Sequence, residues 1–151
     1  MTTLVAESEA LHARVRAFAH GQGAERFEGL ALEIARFQAR HSPAFRRLVA
    51  TRRATLETLA DVPGVPTDAF RLTRVAVHPA ELDVARFTTS GTTGSERGTH
   101  AFRTTRTYEE VALRFGAQAL RSSPAPRVVV ALAPPPEAVE PEELRPGLEV
   151  P

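Results

Sequence analysis

Ten consecutive residues hold most of the chemistry that this sequence can offer: Thr89-Ser90-Gly91-Thr92-Thr93-Gly94-Ser95-Glu96-Arg97-Gly98. Three glycines and five hydroxyl residues fall within the stretch. Glycine reaches backbone conformations with positive φ and lets a ligand approach the main chain closely. Consecutive N–H groups in such a turn form a concave anion site, and hydroxyls add further donors. The Arg97 guanidinium supplies fixed charge and a planar fork that matches phosphate oxygens. Types and spacing together point to a grip for a polyphosphate. A Walker A loop, G-x-x-x-x-G-K-[ST], is excluded because it needs a lysine, and all 19 basic residues are arginine. The competing reading is a solvated turn, since short Ser/Thr/Gly runs also arise by chance.

Other candidates are weaker. His100 stands two residues after Gly98, where it could meet a phosphate or an activated carboxyl, or could simply be a half-exposed strand residue. His12, His20, His41 and His78 show no metal-ligand spacing and read as helix-surface residues. Ser90, Ser95, Ser122 and Ser123 lack a G-x-S-x-G elbow, so no hydrolase triad is indicated. Thr107 with Glu110 three residues later reads as a capping box, which gives Glu109 and Glu110 a structural role. The absence of lysine and cysteine removes Schiff-base chemistry, thiolate metal sites, disulfides and a cysteine nucleophile.

The elements that position the loop follow from pattern. The chain has 151 residues, 42% hydrophobic and 25% charged, with a formal net charge of +1. That is the composition of one globular domain. The near-balance of charge, and arginines without interleaved aromatics, do not indicate nucleic-acid binding. The longest apolar run, Val128 to Ala133, is far too short to span a membrane. Met1 to Ala10 has no basic n-region, so the expected location is cytoplasmic.

Leu4, Leu11, Val15 and Phe18 recur at helical spacing, and Gly21 and Gly23 stop the pattern. Phe27, Leu30, Ala31, Ile34 and Phe37 form a second stripe ending near His41. Ser42-Pro43 is a helix start signal, and Phe45, Leu48 and Val49 give a third, short helix. Arg46, Arg47, Arg52 and Arg53 lie around it as a solvated face, expected to pair with Glu57 and other acids.

From Asp61 the texture changes. Val62-Pro63-Gly64-Val65-Pro66 is a turn-rich connector. Thr67 to Leu72 fits one helical turn, and Arg74 to Val77 a short strand. Val84 to Thr89 reads as a strand entering the glycine-rich loop, with a return strand over Thr99 to Arg103. A helix follows from Thr107 with the stripe Tyr108, Val111, Ala112, Phe115 and Leu120. Arg127 to Ala133 is apolar without alternation, the pattern of a strand buried on both faces. Strand, helix, strand predicts a right-handed βαβ unit. The expected fold class is α/β: residues 1–60 helical, 61–133 the start of a mixed or parallel sheet containing the loop, and 134–151 an extended Pro/Glu-rich tail.

Thr89-Ser90-Gly91-Thr92-Thr93-Gly94 is identical to the core of the phosphate loop of adenylate-forming enzymes, T-S-G-T-T-G-x-P-K-G, with Gly98 also in register. The departures are Glu96 in place of proline and Arg97 in place of lysine. Together with Val65-Pro66-Thr67-Asp68-Ala69-Phe70 and Arg97-Gly98-Thr99-His100, the stretch resembles the LuxE-type acyl-protein synthetases over roughly Val65 to Ala133.

The resemblance implies activation of a long-chain fatty acid by ATP to an acyl-adenylate and transfer of the acyl group to a protein. The implied cofactors are ATP and Mg²⁺, and the implied partners a fatty acid and an acyl-acceptor protein. Thr89, Ser90, Gly91, Thr92, Thr93, Gly94, Arg97 and Gly98 would bind the nucleotide phosphates, and no metal ligand is assigned. The family's adenine pocket, metal-binding acid, ribose-binding aspartate and late catalytic lysine lie downstream of this loop, and the sequence from Pro134 does not resemble their continuation. The expectation is an N-terminal fragment, inactive alone, whose missing half could come from a second chain. The alternative is a non-enzymatic remnant that binds an anion or serves as an interaction piece.

Overall fold

A computed structural model of the chain describes residues 3–89 and 97–120. It is mostly helical over these residues: five helices and one small antiparallel hairpin. Helix α1 (Thr3–Ala19) closes on Gly21 (φ 69°), whose N–H reaches the Phe18 carbonyl at 2.9 Å. Helix α2 (Phe27–His41) and helix α3 (Pro43–Arg52) meet at Ser42. The Ser42 N–H ends α2 on the Gln38 carbonyl, 2.7 Å away, and its hydroxyl accepts the Phe45 N–H at 3.2 Å to start α3. Pro43 occupies the first turn of α3, where its missing N–H costs nothing. This junction agrees with the start signal in the sequence.

The core lies between α2, α3 and the segment that follows. Ala35, Phe45 and Leu56 are buried together, with Leu48, Val49, Val62 and Val65 packed around them. Leu56 reaches this position with φ 55°, a left-handed conformation that costs a β-carbon residue on the order of 1–2 kcal/mol. Two interactions offset the strain: its side chain is buried, and Arg36 Nε donates to its carbonyl at 3.0 Å.

A single helical turn, α4 (Ala69–Leu72), follows the connector, and the pair β1 (Ala85–Thr88) and β2 (Thr99–Phe102) comes next. Helix α5 (Arg106–Leu120) packs back on α1. The α1–α5 junction is polar: Arg16 Nη1 donates to Thr107 Oγ1 at 2.8 Å, and Arg103 meets Glu9 at 2.6 Å.

Three expectations are corrected. The sheet is not parallel among the described residues: β1 and β2 pair antiparallel, Phe87 opposite His100 and Thr88 opposite Thr99, because the chain reverses through the glycine-rich loop. Arg74 to Val77 is not a strand but irregular chain, with the Arg74 side chain drawn to Asp83. Helix α5 begins at Arg106 rather than at a Thr107 capping box. Thr107 bonds Arg16 and His12 instead, and Glu110 pairs with Arg106 and Arg16. The expected strand Arg127–Ala133 and the tail 134–151 lie outside the described residues.

Candidate functional site at the hairpin neck

In sequence the Ser/Thr/Gly-rich stretch lies between the two strands of the hairpin, and its residues 90–96 are outside the described residues. The two strands are joined at the neck by a reciprocal pair. The Thr89 N–H donates to the Gly98 carbonyl at 2.9 Å, and the Gly98 N–H donates to the Thr89 hydroxyl at 3.0 Å. Thr89 therefore uses both main chain and side chain to close the loop. At the far end the Val84 N–H meets the Phe102 carbonyl at 2.8 Å.

Helix α4 braces this neck from below. A β-carbon at Gly98 would lie 3.3 Å from Thr89 Oγ1 and 3.6 Å from the Phe70 β-carbon. The glycine is thus set by close approach of the Thr89 hydroxyl and of the Phe70 β-carbon and backbone, and Gly98 is buried. Phe70 also stacks on His100, ring centroids 4.1 Å apart at 29°. Beyond them Phe87 meets Phe102 edge-on at 5.1 Å, and Tyr108 approaches both. These rings share one face of the hairpin.

The predicted site residues fall into two groups. Thr89, Arg97 and Gly98 are brought together at the neck, with Arg97 exposed. Ser90, Gly91, Thr92, Thr93 and Gly94 lie outside the described residues. His100 is near the neck, but its ring is stacked on Phe70, a packing role compatible with the half-exposed strand reading.

One cluster had no signal in the sequence. The Asp83 side chain is fully buried, one residue before Val84 leads into the hairpin. Its carboxylate accepts four hydrogen bonds: Arg74 Nη2 at 2.6 Å and His78 Nε2 at 2.9 Å on Oδ1, Arg74 Nη1 at 2.9 Å and Arg86 Nε at 2.9 Å on Oδ2. The Arg74 guanidinium, with help from Arg86 and His78, holds the carboxyl far below the usual carboxylate range. Burial pushes the His78 imidazole down, against the hydrogen bond to Asp83. His78 thus donates as a neutral imidazole at pH 7. Spacings of four, five and three residues along an irregular segment have no period, so no pattern could have flagged the group. The clip fastens the connector 74–83 to β1 and so fixes where the neck sits.

The arginines of α3 are exposed, as expected, but Glu57 is not their partner: Arg46 donates to the Arg40 carbonyl at 3.3 Å. His12, half-buried on α1, and His78, in irregular chain rather than on a helix, both line an open cleft. Among the described residues no group of three or more His, Asp or Glu could hold a metal ion, and no helix is long and apolar enough to cross a membrane. Comparison of the chain with protein-family models, curated proteins and solved structures finds no match.

Proposed function

We propose that the hairpin neck and its loop form a nucleotide-phosphate grip of the kind used by adenylate-forming ligases, and that the chain is the N-terminal part of an acyl-protein synthetase-like enzyme. One observation carries the reading. The two segments on which the resemblance rests, 65–70 and 89–98, are separated by 18 intervening residues yet pack together, Phe70 against Gly98 and His100. A turn that was merely solvated would not need a helix seated under its neck.

In this reading the hairpin begins the larger mixed α/β sheet. Thr89 closes the loop, Arg97 and the loop amides hold the β- and γ-phosphates, and the leaving pyrophosphate stays in the same cradle. The contribution to catalysis is positioning and charge stabilisation. ATP, a fatty acid and an acyl-acceptor protein are the proposed reactants. The resemblance also implies Mg²⁺ on the nucleotide phosphates, with no protein ligand assigned.

Calorimetric titration of the chain with ATP and with pyrophosphate tests the grip. Arg97→Ala should weaken both by about tenfold to a hundredfold, the worth of a charge-assisted hydrogen bond of about 1.5–3 kcal/mol. Equal affinity in the two proteins removes Arg97 from the site, and no binding of either ligand removes the grip.

A further inference from the structure

Helix α5 carries its apolar stripe on the outside. It meets α1 through Thr107 and Glu110, which contact His12 and Arg16, and none of its residues is buried. Tyr108, Ala112, Phe115 and Ala119 follow one another at i, i+4, i+7 and i+11, which places them on one helix face. All four are exposed. Thr107, Glu110 and Arg114 lie well round the axis from that face. Phe87 extends the stripe onto the hairpin, its ring 6.2 Å from that of Tyr108, and Leu113 flanks it.

The size of this patch is informative. Phe87, Tyr108, Phe115 and Leu113 keep 46%, 62%, 53% and 73% of their exposure. At roughly 200 Å² per large side chain, these four leave about 500 Å² of apolar surface in one place, the upper end of what a monomer exposes. An interface of standard size covers about 800 Å² per partner, of which roughly 450–520 Å² is non-polar. The patch therefore has the area that a stable dimer needs. The longest apolar run of the chain, Val128 to Ala133, is too short to cover it, since six residues in extended form turn about three side chains to one side.

The stripe is also complementary to itself. Large and small residues alternate along it. When it lies antiparallel on a second α5, with the two-fold axis between Ala112 and Phe115, Tyr108 meets Ala119 of the second copy and Phe115 meets Ala112 of the second copy. The reverse contacts follow by symmetry. Each ring then fills the space over a methyl group, the interdigitation that helix packing requires. Gly116 lies beside this seam, and a β-carbon there would meet nothing within 4 Å in the chain's own fold. Glycine inside a helix costs about 1 kcal/mol relative to alanine. The packing of the single chain gives no return for that cost, whereas a second helix gains a closer approach.

We propose that the outward face of α5, with Phe87 at its end, is the interface of a symmetric antiparallel homodimer of this chain. The contact does not depend on the phosphate grip.

Sedimentation and light scattering on the full chain at about 100 µM test it, well above the micromolar upper end for an interface of this size. The expected mass is twice the 16.4 kDa of one chain. Phe115→Arg and Ala112→Arg each put a charge in the seam from a position exposed in the single chain. Each should give a monomer at the same concentration with unchanged helical circular dichroism. The chain has no cysteine, so oxidation reads the register: Tyr108→Cys and Ala119→Cys variants mixed in equal amounts should cross-link to each other, and neither to itself. A chain that stays monomeric at this concentration, whether residues 127–133 or another protein covers the stripe, overturns the proposal. So does a dimer that both arginine variants leave intact, or a cysteine variant that cross-links to itself in place of the mixed pair.

Discussion

Asp83→Asn isolates the clip that seats the hairpin. The substitution is nearly isosteric but turns one acceptor oxygen into a donor. Facing Oδ2, Arg74 Nη1 and Arg86 Nε both lie at 2.9 Å, so two charge-assisted bonds are lost and donors are set against donors. Each such bond is worth about 1.5–3 kcal/mol. Asp83 is fully buried, but the Arg74 and Arg86 side chains keep 35% and 43% of their exposure. Water can therefore satisfy the freed guanidinium groups, and the net loss falls to about 2–4 kcal/mol.

At about 2–4 °C per kcal/mol for a chain of this size, thermal unfolding should move down by about 4–16 °C. The pH dependence is a second check. The folded carboxyl lies below its unfolded value of about 3.9, so its stabilisation is fully present above that value and is lost as pH falls towards the folded one. The gap between wild type and Asp83→Asn should be level from pH 7 to 9. By pH 3 it should have narrowed by about 1.3 kcal/mol. Urea unfolding at each pH measures it. A loss under about 0.5 kcal/mol, or a gap as wide at pH 3 as at pH 7, would refute the clip.

Thr89→Val removes the acceptor for the Gly98 N–H and should cost about 1–2 kcal/mol in urea unfolding, with a further loss of pyrophosphate affinity as the neck opens. Gly98→Val drives a side chain into Thr89 and Phe70 and should cost about 1–3 kcal/mol by overpacking, read as a lower midpoint. Ser42→Ala removes the α3 cap and should cost about 1 kcal/mol without changing pyrophosphate affinity, since the hydrogen bonds of Ser42 stay within α2 and α3.

The helical half was legible because its signals are local. The stripes through Leu4–Phe18 and Phe27–Phe37, the glycine stop and the Ser42-Pro43 start all act within a few residues, and α1 to α3 fall on them. The two strands and the return between them were also legible, but their register was not. Antiparallel register depends on where the chain reverses between Thr89 and Gly98, which no periodicity encodes. The capping box failed for a related reason: Thr107 and Glu110 found long-range partners on α1 that outcompete the local arrangement. Arg74–Val77 has apolar residues enough for a strand, yet Arg74 is pinned to Asp83 and the apolar residues line a cleft. At the site, the loop residues were readable from their types alone. The role of Phe70 as the brace under Gly98 needed the fold.

Backbone amide shifts on titration with pyrophosphate test the phosphate grip most directly. Saturable changes are expected at Thr89, Arg97 and Gly98, passing to His100 and Phe70 through their packing and abolished by Arg97→Ala. Changes centred instead on the exposed arginines Arg46, Arg47, Arg52 and Arg53 of α3 and its C-terminus, or no saturable change at the neck, would contradict it.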